Sequence, residues 1–332
     1  MTFISEIDIK EFRGISYCKN PIQLSKFSII IGRNNSAKST FLEALSLMPM
    51  PFKDERIPYY DENRLDLIRS LHGNTSLVYG YSGTASIKYK MLKKSIEIDL
   101  DASNHIKRIS FDGEDKTNIN EYRKKIQKLL NLKNNENIQS LIFFIPDHTG
   151  YKDKLFTKIQ ESKDYRDTLT KKGINISVVK ELINKCVDDK YSEILTDSTE
   201  MRLRKQLSKK LHYIHLTDLG DGIRKATIMA LILQLFDPKL ILWDDFENSA
   251  HPSLIKILLK WLSEKNWQIV ISTHSIDVLN NIIKIKPKDA NILLFKKNAD
   301  DVLLTKSYNI DEFEDLMYSN TDPRLLSDTL EL

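Results

Sequence analysis

Two cysteines, Cys18 and Cys186, are all that 332 residues contain. They lie far apart and form no C-x-x-C pair, which excludes a disulfide framework and a zinc hook and suits a reducing cytoplasm. Net charge is nearly absent as well. Fifty Lys and Arg against 46 Asp and Glu leave +4, too little for a global field that would demand nucleic acid as partner, although local patches stay open. No uncharged run approaches the length of a membrane span, and the first residues, Glu6 among them, hold no apolar signal segment, so the expectation is an unprocessed, soluble protein. Internal repeats, low-complexity tracts and a sustained heptad are also missing, so long coiled-coil arms are not expected. What the chain does have is 41% hydrophobic residues, enough for the core of one large α/β domain or two smaller ones.

Residues 27–31 form a short apolar run of strand character, residues 41–48 look helical, and Gly32-Arg33-Asn34-Asn35-Ser36-Ala37-Lys38-Ser39-Thr40 stands between them. Strand, loop and helix in that order suggest a phosphate loop. Backbone N–H groups converging at a helix N-terminus answer a triphosphate with fixed dipoles. Lys38 would reach the β- and γ-phosphates and Ser39 would ligate Mg²⁺. Ala37 stands where the G-x-x-x-x-G-K-[ST] pattern has its second glycine, and a Ser/Asn-rich turn is the plainer alternative.

Segments 76–81, 85–91, 95–100 and 107–111 are separated by turn residues at hairpin spacing, which predicts an antiparallel β-subdomain. Residues 118–132 carry apolar positions at helical spacing, 141–145 is a buried-type strand, and 150–200 reads as a small helical insertion. From residue 201 strands alternate with helices (helix 223–236; strands 240–243, 268–272 and 291–295), the pattern of a parallel sheet covered on both faces, with its ligand at the carboxyl ends of the strands. The expected organisation is an N-terminal lobe over residues 1–115, a helical insertion with a connecting strand over 116–200 and a C-terminal lobe over 201–332, joined in one composite α/β domain.

Leu240-Ile241-Leu242-Trp243-Asp244-Asp245 is an apolar strand ending in two carboxylates, and a charge there needs a cation or a hydrogen-bonding partner. In a phosphate-loop enzyme Asp244 would hold Mg²⁺ and Asp245 would polarise the attacking water; the alternative is a helix cap shared with Asn248. Ile269-Val270-Ile271-Ser272-Thr273-His274 is a second strand with a polar end, where His274 could hydrogen-bond the attacking water or remain structural. Leu219-Gly220-Asp221-Gly222-Ile223 opens an apolar helix with two glycines, either an anion site or an ordinary glycine turn.

In that order these motifs resemble the ATP-binding-cassette type of AAA ATPase, a P-loop NTPase fold, in the branch containing RecF, the SMC heads and the overcoming-lysogenization-defect (OLD) proteins. The resemblance spans nearly the whole chain. It maps Walker A to Gly32–Thr40 by sequence, the signature to residues 219–223 with Gly220, Asp221 and Gly222 at its centre, Walker B to residues 240–245 with Asp244 and Asp245 at its end, the D-loop to about residues 248–251 and the switch histidine to His274, and it brings Arg13 close to the nucleotide. It implies ATP and Mg²⁺, and an ATP-dependent homodimer in which one subunit's signature completes the other's site, switching a DNA-related or defence-related effector or nuclease. Four departures stand out. Ala37 replaces a glycine, Asp245 replaces the usual Glu, no Gln between Gln23 and Gln127 can serve the Q-loop, and Asp221 brings a carboxylate into the signature. A weakly hydrolysing regulatory scaffold is the alternative. The 58 residues after His274 are too few for a Toprim nuclease, the acidic run Asp311, Glu312, Glu314 and Asp315 reads as the solvated face of an amphipathic helix, and Arg202, Arg204, Lys205, Lys209 and Lys210 form either a phosphate-binding stripe or an ordinary charged surface.

Overall fold

A computed structural model describes residues 2–48, 52, 55–60, 62–115, 119–132, 137–207, 210–248 and 252–319. In chain order its elements are β1 (Ile4–Phe12), β2 (Ile15–Cys18), β3 (Ile22–Gln23), β4 (Phe27–Gly32), α1 (Lys38–Ser46), α2 (Arg64–Leu71), β5 (Thr84–Met91), β6 (Lys94–Asp101), β7 (Ile106–Phe111), β8 (Glu114–Asp115), α3 (Ile119–Leu130) and β9 (Ile142–Ile145). Then follow α4 (Thr149–Glu161), α5 (Lys163–Lys171), α6 (Ile174–Val178), a π-helical turn, α7 (Asn184–Cys186), β10 (Tyr191–Thr196), β11 (Met201–Leu207) and β12 (Lys210–His215). The chain continues through α8 (Asp221–Phe236), β13 (Leu240–Trp243), α9 (Pro252–Ser263), β14 (Gln268–Ser272), α10 (Ile276–Ile285), β15 (Ala290–Lys297), β16 (Val302–Asn309) and α11 (Ile310–Tyr318).

One 13-stranded sheet runs β8-β7-β6-β5-β1-β2-β16-β15-β4-β14-β13-β9, with β3 added on β1. Its parallel part, β15-β4-β14-β13-β9, is made of strands buried along almost their whole length. Such strands are apolar throughout because helices cover both faces. The antiparallel part alternates instead, as in β5, whose buried positions 85, 87, 89 and 91 face the core. These antiparallel strands continue the P-loop sheet through β1. A second sheet, β10-β11-β12, is small and antiparallel.

Two elements differ from expectation. Residues 76–81 touch β1 through a single bridge, Phe12 to Val78, and then turn at Gly80 (φ 61°), so the antiparallel run begins only at Thr84. The strand–helix alternation begins at α8, because residues 201–215 form the antiparallel pair β11 and β12. The acidic segment near the end is α11, with Phe313 buried and a capping box between Asn309 and Glu312.

Parallel order places β14 between β4 and β13, with Ser272 opposite Ile30 and Ile271 opposite Trp243. The three segments leaving those strands therefore emerge side by side at the carboxyl edge. These are the segments carrying Lys38, His274 and the Asp244–Asp245 pair.

Candidate functional site

Gly32 ends β4 where a side chain has no room: a Cβ there would stand 2.5 Å from the Phe295 carbonyl oxygen and 2.5 Å from Ser36 Oγ. The loop then passes through left-handed positions at Asn35 (φ 62°) and Ala37 (φ 71°) and enters α1. The loop sits at the N-terminus of α1, where the macrodipole favours an anion, and its Ser36 N–H donates to the Arg33 carbonyl at 3.2 Å. The Ser36 hydroxyl is buried without a protein partner among the described residues, as expected of a group whose partner is a ligand. Lys38 Nζ donates to the carbonyls of Gly32 and Arg33, each at 3.1 Å. Burial depresses the ammonium's pKa, while Asp245, Asp244 and Glu247 oppose that shift.

Asp244 is buried beside α1. It accepts from Ser272 Oγ at 2.6 Å and from the Ser39 side chain, and burial pushes its pKa up to about 6 against those hydrogen bonds. The same Ser272 Oγ accepts from the Asp245 N–H at 2.8 Å. Asp245 has a left-handed backbone (φ 42°) and a half-buried carboxylate whose pKa burial also raises, opposed chiefly by His274. His274 Nε2 lies 3.9 Å from Asp245 Oδ1. The next helix described is α9 (Pro252–Ser263), and residues 249–251 before it lie outside the described residues.

Arg13, Asn34, Asn35, Ser36, Ala37, Lys38, Ser39, Thr40, Asp245 and His274 line one cleft, together with His72. Gly32 and Asp244 are not among the lining residues; the Gly32 carbonyl accepts from Lys38, and the Asp244 carboxylate accepts from the Ser39 side chain. Gly220, Asp221 and Gly222 are not part of it; they line a separate cleft with Cys186 and Leu254. Gly220 has φ 82° and ψ 151°, open to glycine alone. The Asp221 carboxylate is turned along α8, bound by Arg224 Nη2 at 2.7 Å and Lys225 Nζ at 2.6 Å, and these contacts lower its pKa. Of the D-loop residues Asn248 is described; 249–251 lie outside the described residues.

Sequence reasoning missed four residues here. Ser272 bridges the two aspartates. Glu247 accepts from Thr273 Oγ1 at 2.8 Å and from the His274 N–H at 2.7 Å, tying the turn after β13 to the end of β14. Glu43 and His72 form a network with Arg13. In the basic stripe Arg202 pairs with Asp197 and Glu200, Arg204 with Glu193 and Lys205 with Asp189, while Lys209 lies outside the described residues. Among the described residues no helix is long and apolar enough to cross a membrane.

A protein-family profile described as "AAA domain, putative AbiEii toxin, Type IV TA system" matches residues 85–280, more than half of the chain, and one described as "AAA ATPase domain" matches residues 3–53. An "ATP/GTP phosphatase" of Helicobacter pylori is 21% identical over 356 aligned positions, covering 90% of this chain and 93% of that one. Among solved structures, an SMC head bound to the C-winged helix domain of ScpA aligns with a TM-score of 0.62 at 14% identity, covering 94% of this chain and 99% of its own. An Smc head from Pyrococcus furiosus with an extended coiled coil, bound to the C-terminal domain of ScpA, aligns at 0.61 and 13% identity, covering 96% and 100%. The P-loop fold of this protein is that of an SMC head, and the chain belongs to the AAA-domain family of ATPases.

Proposed function

We propose that this ATPase closes as a head-to-tail homodimer around two nucleotides and thereby switches a DNA-related or defence-related partner. The observation that carries the reading is the convergence of Lys38 with Asp244, Asp245 and His274 at one sheet edge, from segments more than 200 residues apart in sequence. Lys38 and the N–H groups of residues 34–40 would hold the phosphates, with Arg13 at the side wall. The Ser39 hydroxyl and the Asp244 carboxylate are hard oxygen donors that fit Mg²⁺, which would neutralise phosphate charge when bound. Asp245 would accept the proton of the attacking water, and His274 would hydrogen-bond that water or the γ-phosphate.

The separation of Gly220, Asp221 and Gly222 from the Lys38 cleft supports a signature that acts in trans. Asp221 does not oppose it, because Arg224 and Lys225 together carry more charge than it does. The lobes 1–115 and 201–332 would each supply one half of the composite site, with 116–200 between them. The match of residues 85–280 to an AAA domain described with a putative toxin of Type IV toxin–antitoxin systems favours the defence-related setting. Direct DNA binding through β11 draws less support, since Arg202, Arg204 and Lys205 are matched by the carboxylates of Asp197, Glu193 and Asp189 in and beside the same small sheet.

Mg²⁺-dependent phosphate release that is lost in Lys38→Ala is expected, and Asp245→Asn with ATP and Mg²⁺ is expected to shift to a dimer in size-exclusion chromatography. A scaffold that scarcely hydrolyses ATP would instead bind it tightly without release. If neither wild type nor Asp245→Asn ever enlarges with ATP, the closed dimer is wrong.

A further inference from the structure

One wall of the cleft, at Arg13 and His72, is backed by a ring of side chains of which two, Glu43 and His72, are marked by no motif. Glu43 lies on α1 one turn beyond Ser39, its carboxylate only 3% exposed. Its Oε2 accepts from Arg13 Nη1, and its Oε1 faces His72 Nε2 at 2.8 Å. Arg13 Nη2 lies 3.0 Å from His72 Nδ1. Arginine can only donate, so Nδ1 is the acceptor; the ring proton then sits on Nε2 and is donated to Glu43. Three side chains from the β1–β2 turn, α1 and the C-terminal cap of α2 thus close a ring. The arginine is fixed from the backbone side too: its φ is 50°, a left-handed conformation rare for a long side chain, and its N–H donates to the Leu77 carbonyl at 2.8 Å.

We propose that Glu43 and His72 are positioning residues for nucleotide binding, holding the Arg13 guanidinium in one orientation at the cleft wall so that its outward N–H groups meet the phosphates. The inference rests on the nucleotide site proposed above and goes beyond it by naming what orients its arginine. A guanidinium carries five N–H donors in a rigid fork. With one committed to Glu43 and one to His72, the fork cannot rotate and its remaining donors have a defined direction. Glu43 also balances the arginine's charge, so the wall offers directed donors without adding to the charge of Lys38. His72 lines the cleft in its own right, which puts the ring at the ligand's edge and not in a remote part of the core.

The test measures ATP affinity and steady-state KM and kcat on the full-length protein, with thermal midpoints alongside. Arg13→Ala is expected to weaken ATP binding about 10-fold, and His72→Leu somewhat less, for the loss of a charge-assisted contact. His72→Gln, whose amide offers one acceptor and one donor, is expected to restore most of the loss. The double variant Arg13→Ala with His72→Leu should bind no more weakly than Arg13→Ala alone, because His72 acts through the arginine. Glu43→Gln provides a second route to the same loss should His72→Leu fold poorly. Additive losses in the double variant, failure of His72→Gln to rescue, or a folded His72→Leu with wild-type ATP affinity would each overturn the proposal. Unchanged ATP affinity in Lys38→Ala would instead bring down the nucleotide site itself, whatever the ring does.

Discussion

Ala37 adopts φ 71° and ψ 20° directly before α1, a conformation that costs a residue with a Cβ about 1–2 kcal/mol. The phosphate loop therefore keeps its shape despite the missing glycine. Ala37→Gly removes that strain but frees the unfolded chain by about 0.4–1 kcal/mol, so a net gain of about 0–1.6 kcal/mol is expected in urea denaturation. ATP binding should be retained; a clear loss of stability would mean that the methyl group makes contacts worth more than the strain. Glu247 poses a different question, since its two hydrogen bonds hold the segment on which the geometry of His274 depends. Glu247→Ala is expected to lower kcat about 10- to 100-fold by letting the imidazole drift, with KM for ATP nearly unchanged; a rise in KM at constant kcat would contradict that role. Neither Glu247 nor Glu43 was conspicuous in the sequence for what it does. The signal for Glu43 was present but faint: it is a lone carboxylate among Phe41, Leu42, Ala44 and Leu45, all buried. His72 gave none, because its contacts are made across 29 and 59 residues and no spacing rule reaches that far.

Among the elements, α2 works as a bracket between the far edge of the sheet and the cleft. Its first residue, Arg64, is fully buried and donates through Nε to Gln139 Oε1 at 2.6 Å and through Nη2 to the carbonyls of Gln139 and Ile142 at 2.5 and 2.6 Å. Burial depresses the guanidinium's pKa; carbonyl oxygens meet its Nε and Nη2 donors with no carboxylate among these contacts, while Nη1 is buried without a hydrogen-bond partner among the described residues. At the other end of α2 the C-cap is His72. Arg64→Met keeps much of the bulk but strands those acceptors, and is expected to cost about 2–4 kcal/mol in chemical denaturation. Because α2 carries His72, the folded fraction should also bind ATP more weakly than wild type; a destabilised protein with unaltered ATP affinity would show that the two ends are uncoupled. The strands flanking this bracket differ in how legible they were. Strands β4, β13 and β14 stand out because buried parallel strands are largely apolar runs, here ending at Gly32, Trp243 and Ser272, with Asp244 and Thr273 the next residues after the last two. The strands β10 to β12 carry charged residues at the surface, and ion pairs such as Arg204 with Glu193 form only where the fold sets those strands side by side.

For the whole molecule, the order of motifs disclosed the P-loop sheet of an SMC head, whereas the proposed head-to-tail dimer comes from resemblance alone, since one chain's residues do not specify what a second copy would supply. The arrangement of the two clefts makes that part testable. Lys38 belongs to the phosphate cleft and Gly220 to the other, so each can be disabled without touching its counterpart. Lys38→Ala and Gly220→Ala are each expected to abolish most ATP hydrolysis, the first by removing the phosphate contact and the second by forcing a side chain into a backbone conformation only glycine reaches freely. If sites are shared between subunits, mixing the two inactive proteins creates heterodimers in which one site inherits both defects and the other none. Random mixing makes half of the dimers mixed and repairs one site in each, so roughly a quarter of wild-type turnover should return on mixing, and it should depend on total protein concentration. A mixture as inactive as its components, while each still binds nucleotide or dimerises as expected, would mean that signature and phosphate loop never meet across a subunit boundary.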